Sequence, residues 1–324
     1  MPKTMPSLTV LAAVLALGQL ATPAHAQLAR TFVSSLGNDA NDCNRPTPCR
    51  TFQVAHDKTL ANGEITVLDP GGYGAVAINK TISIINDGVG EAGMLVSGGV
   101  NGVTINGGAN DKVSLRGITI KGIGFGSGNG IVFNSGKFLT IENCAIRNFT
   151  QDSVGIGRGI QFQPNSASNF SQLALTNTVI ADSFFGINFV PAGSGTVRGA
   201  LNRVDLYNND FGLFVAPSGA TLSARVSALN SVFDGSSGAG VTVTAPAGAS
   251  VLSSVMVTGS MLSNNGTALV ASGNGFAQLR IGSSSVAGNQ ASWQSAGGGV
   301  FQSFGDNYIA GNDVQPTPPT AARQ

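Results

Sequence analysis

Charge is the scarcest property of this 324-residue sequence: Asp, Glu, Lys and Arg make up only 10% of it, half or less of the usual share. The 17 basic and 16 acidic residues nearly cancel. Such a chain has no field of either sign to gather nucleic acid or an anionic membrane, so neither is an expected partner. Histidine occurs twice and cysteine three times. Nothing in the acid and histidine pattern predicts a metal site, and no motif predicts a cofactor. Long apolar runs are also missing. The longest, residues 8–17, is too short to span a bilayer. Lys3 precedes that run and Ala24-His25-Ala26 follows it, the three parts of an export signal in order. Residues 1–26 are therefore expected to be a removable leader, maturation to begin at Gln27, and the protein to be secreted, periplasmic or on the extracellular surface.

What is abundant is glycine, 45 residues, and a repeat. Leu139-Thr-Ile141-Glu-Asn143-Cys-Ala-Ile146-Arg-Asn148 serves as a template. It recurs as Val113-Ser-Leu115-Arg-Gly117-Ile-Thr-Ile120-Lys-Gly122 and as Leu173-Ala-Leu175-Thr-Asn177-Thr-Val-Ile180-Ala-Asp182. Further copies centre on Leu201/Leu206, Val226/Phe233, Val255/Leu262, Leu279/Val286 and Phe304/Ile309. The last apolar anchor falls at 120, 146, 180, 206, 233, 262, 286 and 309, at intervals of 23 to 34 residues. Between the copies runs a second motif of glycine, apolar, any residue, apolar. It starts at Gly130, Gly159, Gly186, Gly212 and Gly240, glycines 26 to 29 apart. Two independent motifs thus keep one period.

Within each copy apolar and polar residues alternate, which is strand spacing. Asn, Asp or Gly closes most copies, as corners with positive φ require. No segment between copies carries a helical stripe. A period in this range marks a solenoid whose turns stack so that equivalent residues form ladders. The reading is an all-β, right-handed parallel β-helix of roughly ten rungs, spanning residues 64–312, with Leu115, Ile141, Leu175 and Leu201 stacked inside. A leucine-rich repeat would space its leucines more strictly. Calcium-binding nonapeptide repeats need a recurrent G-G-x-G-x-D, which is absent. A jelly roll has no such period, and an autotransporter needs a membrane barrel after the helix.

Solenoid ends expose core and need covers. Residues 27–63 read as an N-terminal cap. In it, residues 52–60 have helical spacing, Asn62-Gly63 forms the stop, and Glu64 opens the first strand. Cys43 and Cys49 bracket a five-residue loop, and in an oxidising compartment they are expected to pair. Cys144 is left over as a small buried hydrophobe. Residues 313–324, with three prolines, read as a disordered tail. Thr31-Phe-Val-Ser-Ser-Leu-Gly-Asn-Asp-Ala-Asn41, then Pro48-Cys-Arg-Thr-Phe52, then Gly63-Glu-Ile-Thr-Val-Leu-Asp-Pro-Gly-Gly-Tyr73-Gly resembles the entry segment of the pectate-lyase-like right-handed β-helix superfamily. In particular it is similar to uncharacterised secreted bacterial members. The resemblance covers roughly residues 31–90 and implies a fold, not an activity.

The resemblance implies that activity on acidic polysaccharides is to be expected if one of that superfamily's sites is present. Hydrolysis of the polygalacturonase type needs paired carboxylates and a G-H-G histidine. The mature chain keeps one histidine, His56, in the expected cap helix. Lysis needs clustered acids for calcium and a base for the α-proton. Neither set occurs, nor does the D-P-H-E of alginate epimerases. The best polar constellation is Arg116 stacked on Glu142, Lys121 stacked on Arg147, and Asp205 with Tyr207 two rungs on. These six are the candidate binding residues for a sugar acid, with Arg147 or Lys121 as a base and Tyr207 as an acid if there is chemistry. The plainer reading is a solvated ladder with an Arg116–Glu142 surface pair. Asn143, Asn148, Asn177 and Asn230 read as corner formers and residues 122–128 as a glycine-rich corner loop; Trp293 and Tyr308 offer rings on which a sugar could stack, but lone aromatics more often pack. The expected function is a non-catalytic secreted protein that binds polysaccharide or contributes to an envelope or matrix. The alternative is a polysaccharide lyase or hydrolase with a divergent site. The oligomeric state is not legible.

Overall fold

The computed structural model describes residues 27–123, 128–151, 155, 157–166 and 170–321. The expected leader, residues 1–26, lies outside the described residues, as do residues 124–127 of the glycine-rich loop.

Every strand-to-strand register is parallel, and the chain coils through about ten turns with three faces each. The repeat anchors form one continuous ladder: Ile120, Ile146, Ile180, Leu206, Phe233, Leu262, Val286 and Ile309 are register partners turn by turn. This ladder is on the second face. The first face stacks Leu115, Ile141, Leu175 and Leu201. The third face carries the glycine motif as Ile131, Ile160, Ile187, Leu213 and Val241. All of these from Ile120 to Val286 are buried. Phe133, Phe162 and Phe189 add a stack with ring centroids 4.7 and 4.9 Å apart. In the final turn the inward residue beside Leu279 is Phe301, not the expected Phe304.

Two corners repeat through the central turns, each with one left-handed residue. The first uses Gly117, Asn143, Asn177, Arg203, Asn230, Gly259 and Ser283, the second Asn148, Asp182, Asn208, Gly235, Asn264 and Gly288. Asn and Gly dominate because they tolerate positive φ at least cost. Behind these corners run two buried polar ladders that the sequence does not announce. Ser231, Ser260 and Ser284 hydroxyls each accept the amide of the equivalent residue one turn earlier, at 3.1–3.2 Å. Asn209, Asn265, Asn289 and Asn312 do likewise through Oδ1, at 2.9–3.1 Å. Corner amides turned inward are thereby satisfied without water.

Both ends are covered. The first strand is Leu28–Val33, one turn earlier than expected, and it pairs with Thr59–Val67. Its outer edge is sealed by the Cys43–Cys49 disulfide loop: Phe32 donates to the Cys43 carbonyl and Cys49 to the Phe32 carbonyl. Helix α1 is Phe52–Lys58, capped by the Thr51 hydroxyl. It stops before Asn62-Gly63 because β-branched Thr59 already enters the strand, its hydroxyl held by the Ala55 carbonyl and Thr31. At the far end, residues 313–321 are not loose as expected. Val314 bridges Ala291, Thr320 bridges Ser303, and Trp293 donates to the Pro316 carbonyl. The prolines read as disorder because they cannot extend a ladder. For the same reason they suit a strap that ends one.

Candidate functional site

On the second face side chains alternate inward and outward, and the outward positions form two ladders. One runs Leu95, Lys121, Arg147, Ala181, Tyr207, Asp234. The other runs Gly93, Thr119, Ala145, Val179, Asp205, Val232. Lys121 and Arg147 are therefore neighbours one rung apart, and both are exposed. Among the described residues neither side chain has a hydrogen-bond or ion-pair partner.

A groove of about 430 Å³ begins at Lys121. Its floor is Gly72, Gly93 and Thr119, register partners small enough to leave room for a ligand. Glu91 and the exposed Leu95 also line it. Arg50 donates to the carbonyl of Gly72 at 2.5 Å. Arg50, Glu91 and Leu95 were not singled out from the sequence, because they belong to the cap and an early turn that carry no clear copy of the repeat.

The six candidate residues do not form one cluster. Arg116 and Glu142 are register partners, but on the first face, and left-handed Gly117 turns the chain between Arg116 and Lys121. Arg116 pairs with Asp87 at 3.3 Å rather than with Glu142. That pair lines a separate hollow of about 480 Å³ at the first corner, with Asn86, Gly88, Gly117 and Asn143. Asp205 and Tyr207 lie two rungs beyond Arg147 on the second face. Burial, then the charges of Asp205 and Asp234 and a hydrogen bond to Asp205, push the Tyr207 phenol above its ordinary value. Two rungs is about 10 Å, so the two cations and this phenol cannot share a proton-transfer site directly. Their arrangement suits a ligand laid along the axis better than one held at a point.

The remaining reactive groups are structural. His56 is buried in α1, its imidazole held below the usual range mainly by burial. Cys144 is a free buried thiol that burial pushes up to about 11. Trp293 packs on Phe301 with centroids 4.7 Å apart. Tyr308 departs from the packing role expected of it: it is 81% exposed near the last turn. Among the described residues no three His, Cys, Asp or Glu side chains group as metal ligands, and no helix is long and apolar enough to cross a membrane.

No protein-family model matches the sequence, and no curated protein does. Two solved structures are similar in shape. Pectate lyase Pel9A superposes with a TM-score of 0.47 at 14% identity, over 92% of this chain and 80% of that one. The GH136 lacto-N-biosidase from Eubacterium ramulus gives 0.30 at 10% identity, over 90% and 67%. The fold itself rests on the registers: the chain is a parallel β-helix, the architecture that the resemblance of its entry segment to the pectate-lyase-like superfamily implied.

Proposed function

We propose that the chain is an exported glycan-binding protein that holds acidic polysaccharide along its second face without cleaving it. One observation carries the reading: Lys121 and Arg147 are stacked one rung apart, exposed and without an acidic partner among the described residues. Like charges directly opposite each other on a sheet destabilise it. An anionic ligand lying across both relieves that repulsion and gains two charge-assisted contacts. The small-floored groove beside Lys121 gives such a ligand a track. Export is supported by the leader motif and by the disulfide.

The reading without turnover rests on chemistry. Lysis needs a base at the α-carbon and a cation on the carboxylate; hydrolysis needs two cooperating carboxyl groups. On the second face the carboxylates Asp205 and Asp234 flank Tyr207 two and three rungs beyond Arg147, apart from the cationic pair that would hold the polymer, so acid, base and cation do not converge on one point. Affinity electrophoresis through gels containing polygalacturonate, alginate or a neutral glucan tests the proposal. Retardation by an acidic polymer, lost in Lys121→Ala/Arg147→Ala and in high salt, is the expected result. Unaltered retardation in the variant places binding elsewhere. Unsaturated products or new reducing ends released from any of these polymers, and abolished by the same variant, would make the protein an enzyme.

A further inference from the structure

We infer a second carbohydrate site on the third face, independent of the cationic track, which packs an uncharged pyranose against the outward ring cluster of Phe185, Phe211 and Phe214 and holds it beside the side-chain amides of Asn188 and Gln161. Four phenylalanines stand outside the core here: Phe184, Phe185, Phe211 and Phe214, all half-buried. Phe185 and Phe211 are register partners on consecutive turns, their rings stacked with centroids 5.2 Å apart. Phe184 meets Phe185 edge-on at 4.8 Å, and Phe214 leans on Phe185 at 5.1 Å. Arg158, one rung before, sits over the Phe185 ring at 6.0 Å. Phenylalanine has no polar end to excuse an outward position, and a grouped apolar patch on a surface marks a contact.

The amides say which contact. Asn188 donates to Gln161 at 2.6 Å, Gln161 to Gln163 at 2.7 Å, Gln163 to Asn134 at 2.8 Å and Asn134 to Asn106 at 2.8 Å. Each nitrogen is used by the next oxygen, so the chain ends in one open acceptor, the Oδ1 of Asn188. Asn188 is only 6% exposed, and among the described residues that oxygen has no donor. Its Nδ2 points to Gln161 on the rung before, which leaves Oδ1 on the side of Phe214, its register partner on the rung after. A buried acceptor without a donor is costly. A ligand hydroxyl supplies the donor once the half-buried Phe214 ring moves aside. Flat apolar rings beside an amide acceptor match a pyranose, which has a C–H face and equatorial hydroxyls. They do not match a carboxylate, which would meet the Asn188 oxygen with like polarity.

The test is saturation-transfer NMR on the full chain with cellohexaose, xylohexaose and maltohexaose, all uncharged. At least one should bind, with little dependence on salt. Phe185→Leu/Phe211→Leu keeps apolar volume and removes the rings; it should weaken binding tenfold or more with an unchanged circular dichroism spectrum and melt. Lys121→Ala/Arg147→Ala should bind the same sugar as the wild type, so failure of the acidic-glycan reading and failure of this one stay distinguishable. No binding by any of the three sugars, or equal binding in the leucine variant, overturns the inference. So does a dimer on sizing that the leucine variant leaves intact, since the rings would then serve a protein contact.

Discussion

Lys121 and Arg147 occupy one register position on consecutive turns, and no acidic side chain among the described residues pairs with either. Two other cations do have acidic company: Arg30 meets Glu64 at 3.0 Å and Arg116 meets Asp87 at 3.3 Å. Stacked like charges of this kind cost a sheet stability. Replacing Arg147 by Gln should leave the protein as stable as before or more stable by about 0.2–1 kcal/mol, while retention on acidic polysaccharide falls. A thermal melt alongside affinity electrophoresis checks both halves. A loss of stability together with a loss of retention would mean that Arg147 is structural.

Ile141 is fully buried between Leu115 and Leu175. Ile141→Ala should cost about 2–5 kcal/mol through lost transfer energy and the cavity left behind. Ile141→Asp should cost more, because its unpaired charge would enter an apolar stack. Urea titration of the three proteins gives the order; a midpoint unmoved by Asp would show the ladder to be mis-registered.

Arg203 stands in the first corner at φ +55°, where its neighbours along the ladder are Asn177 and Asn230. A left-handed residue with a Cβ costs about 1–2 kcal/mol. Arg203 recovers part of this through a 2.5 Å bond from Nε to the Asn177 Oδ1. Arg203→Gly should therefore raise stability by about 1 kcal/mol, read as a higher melting temperature. The reverse change at an equivalent corner, Gly259→Val at φ +59°, should lower it by more, since a branched Cβ adds crowding to strain.

The strap over the last turn predicts an assembly phenotype. Ser292 donates to the Val314 carbonyl, and Ser303 exchanges bonds with the strap, donating to the Pro319 carbonyl at 2.8 Å and accepting from the Ala321 amide at 2.7 Å. Without it, the Ala291–Ala296 and Val300–Ser303 strands would present free donors and acceptors, the condition for edge-to-edge pairing. Truncation after Asn312 should shift the protein to dimers and larger species in sedimentation velocity. A monomeric truncated chain of unchanged melting temperature would show that the strap covers nothing of consequence.

The architecture was legible because a stacked coil writes itself into the chain as a period. Each anchor from Ile120 to Ile309 found its partner one turn away, and Asn143, Asn148, Asn177 and Asn230 all took the left-handed conformation expected of corners. The ends were less legible. A helix of seven residues and a proline strap have no repeat to betray them, and their conformations are set by Thr59 and Ser303, which belong to other elements.

Sequence alone determined the inward ladders and the corner positions, since alternation and turn chemistry are properties of neighbours along the chain. It also placed Lys121 beside Arg147, because equal position in the repeat means adjacency in the coil. Only the tertiary structure decided that Arg116 turns to Asp87, that Arg116 and Glu142 face away from Lys121, and that Phe185, Phe211 and Asn188 share one patch. Those relations depend on the angle at each corner and on side chains reaching across rungs, and neither is written in the period.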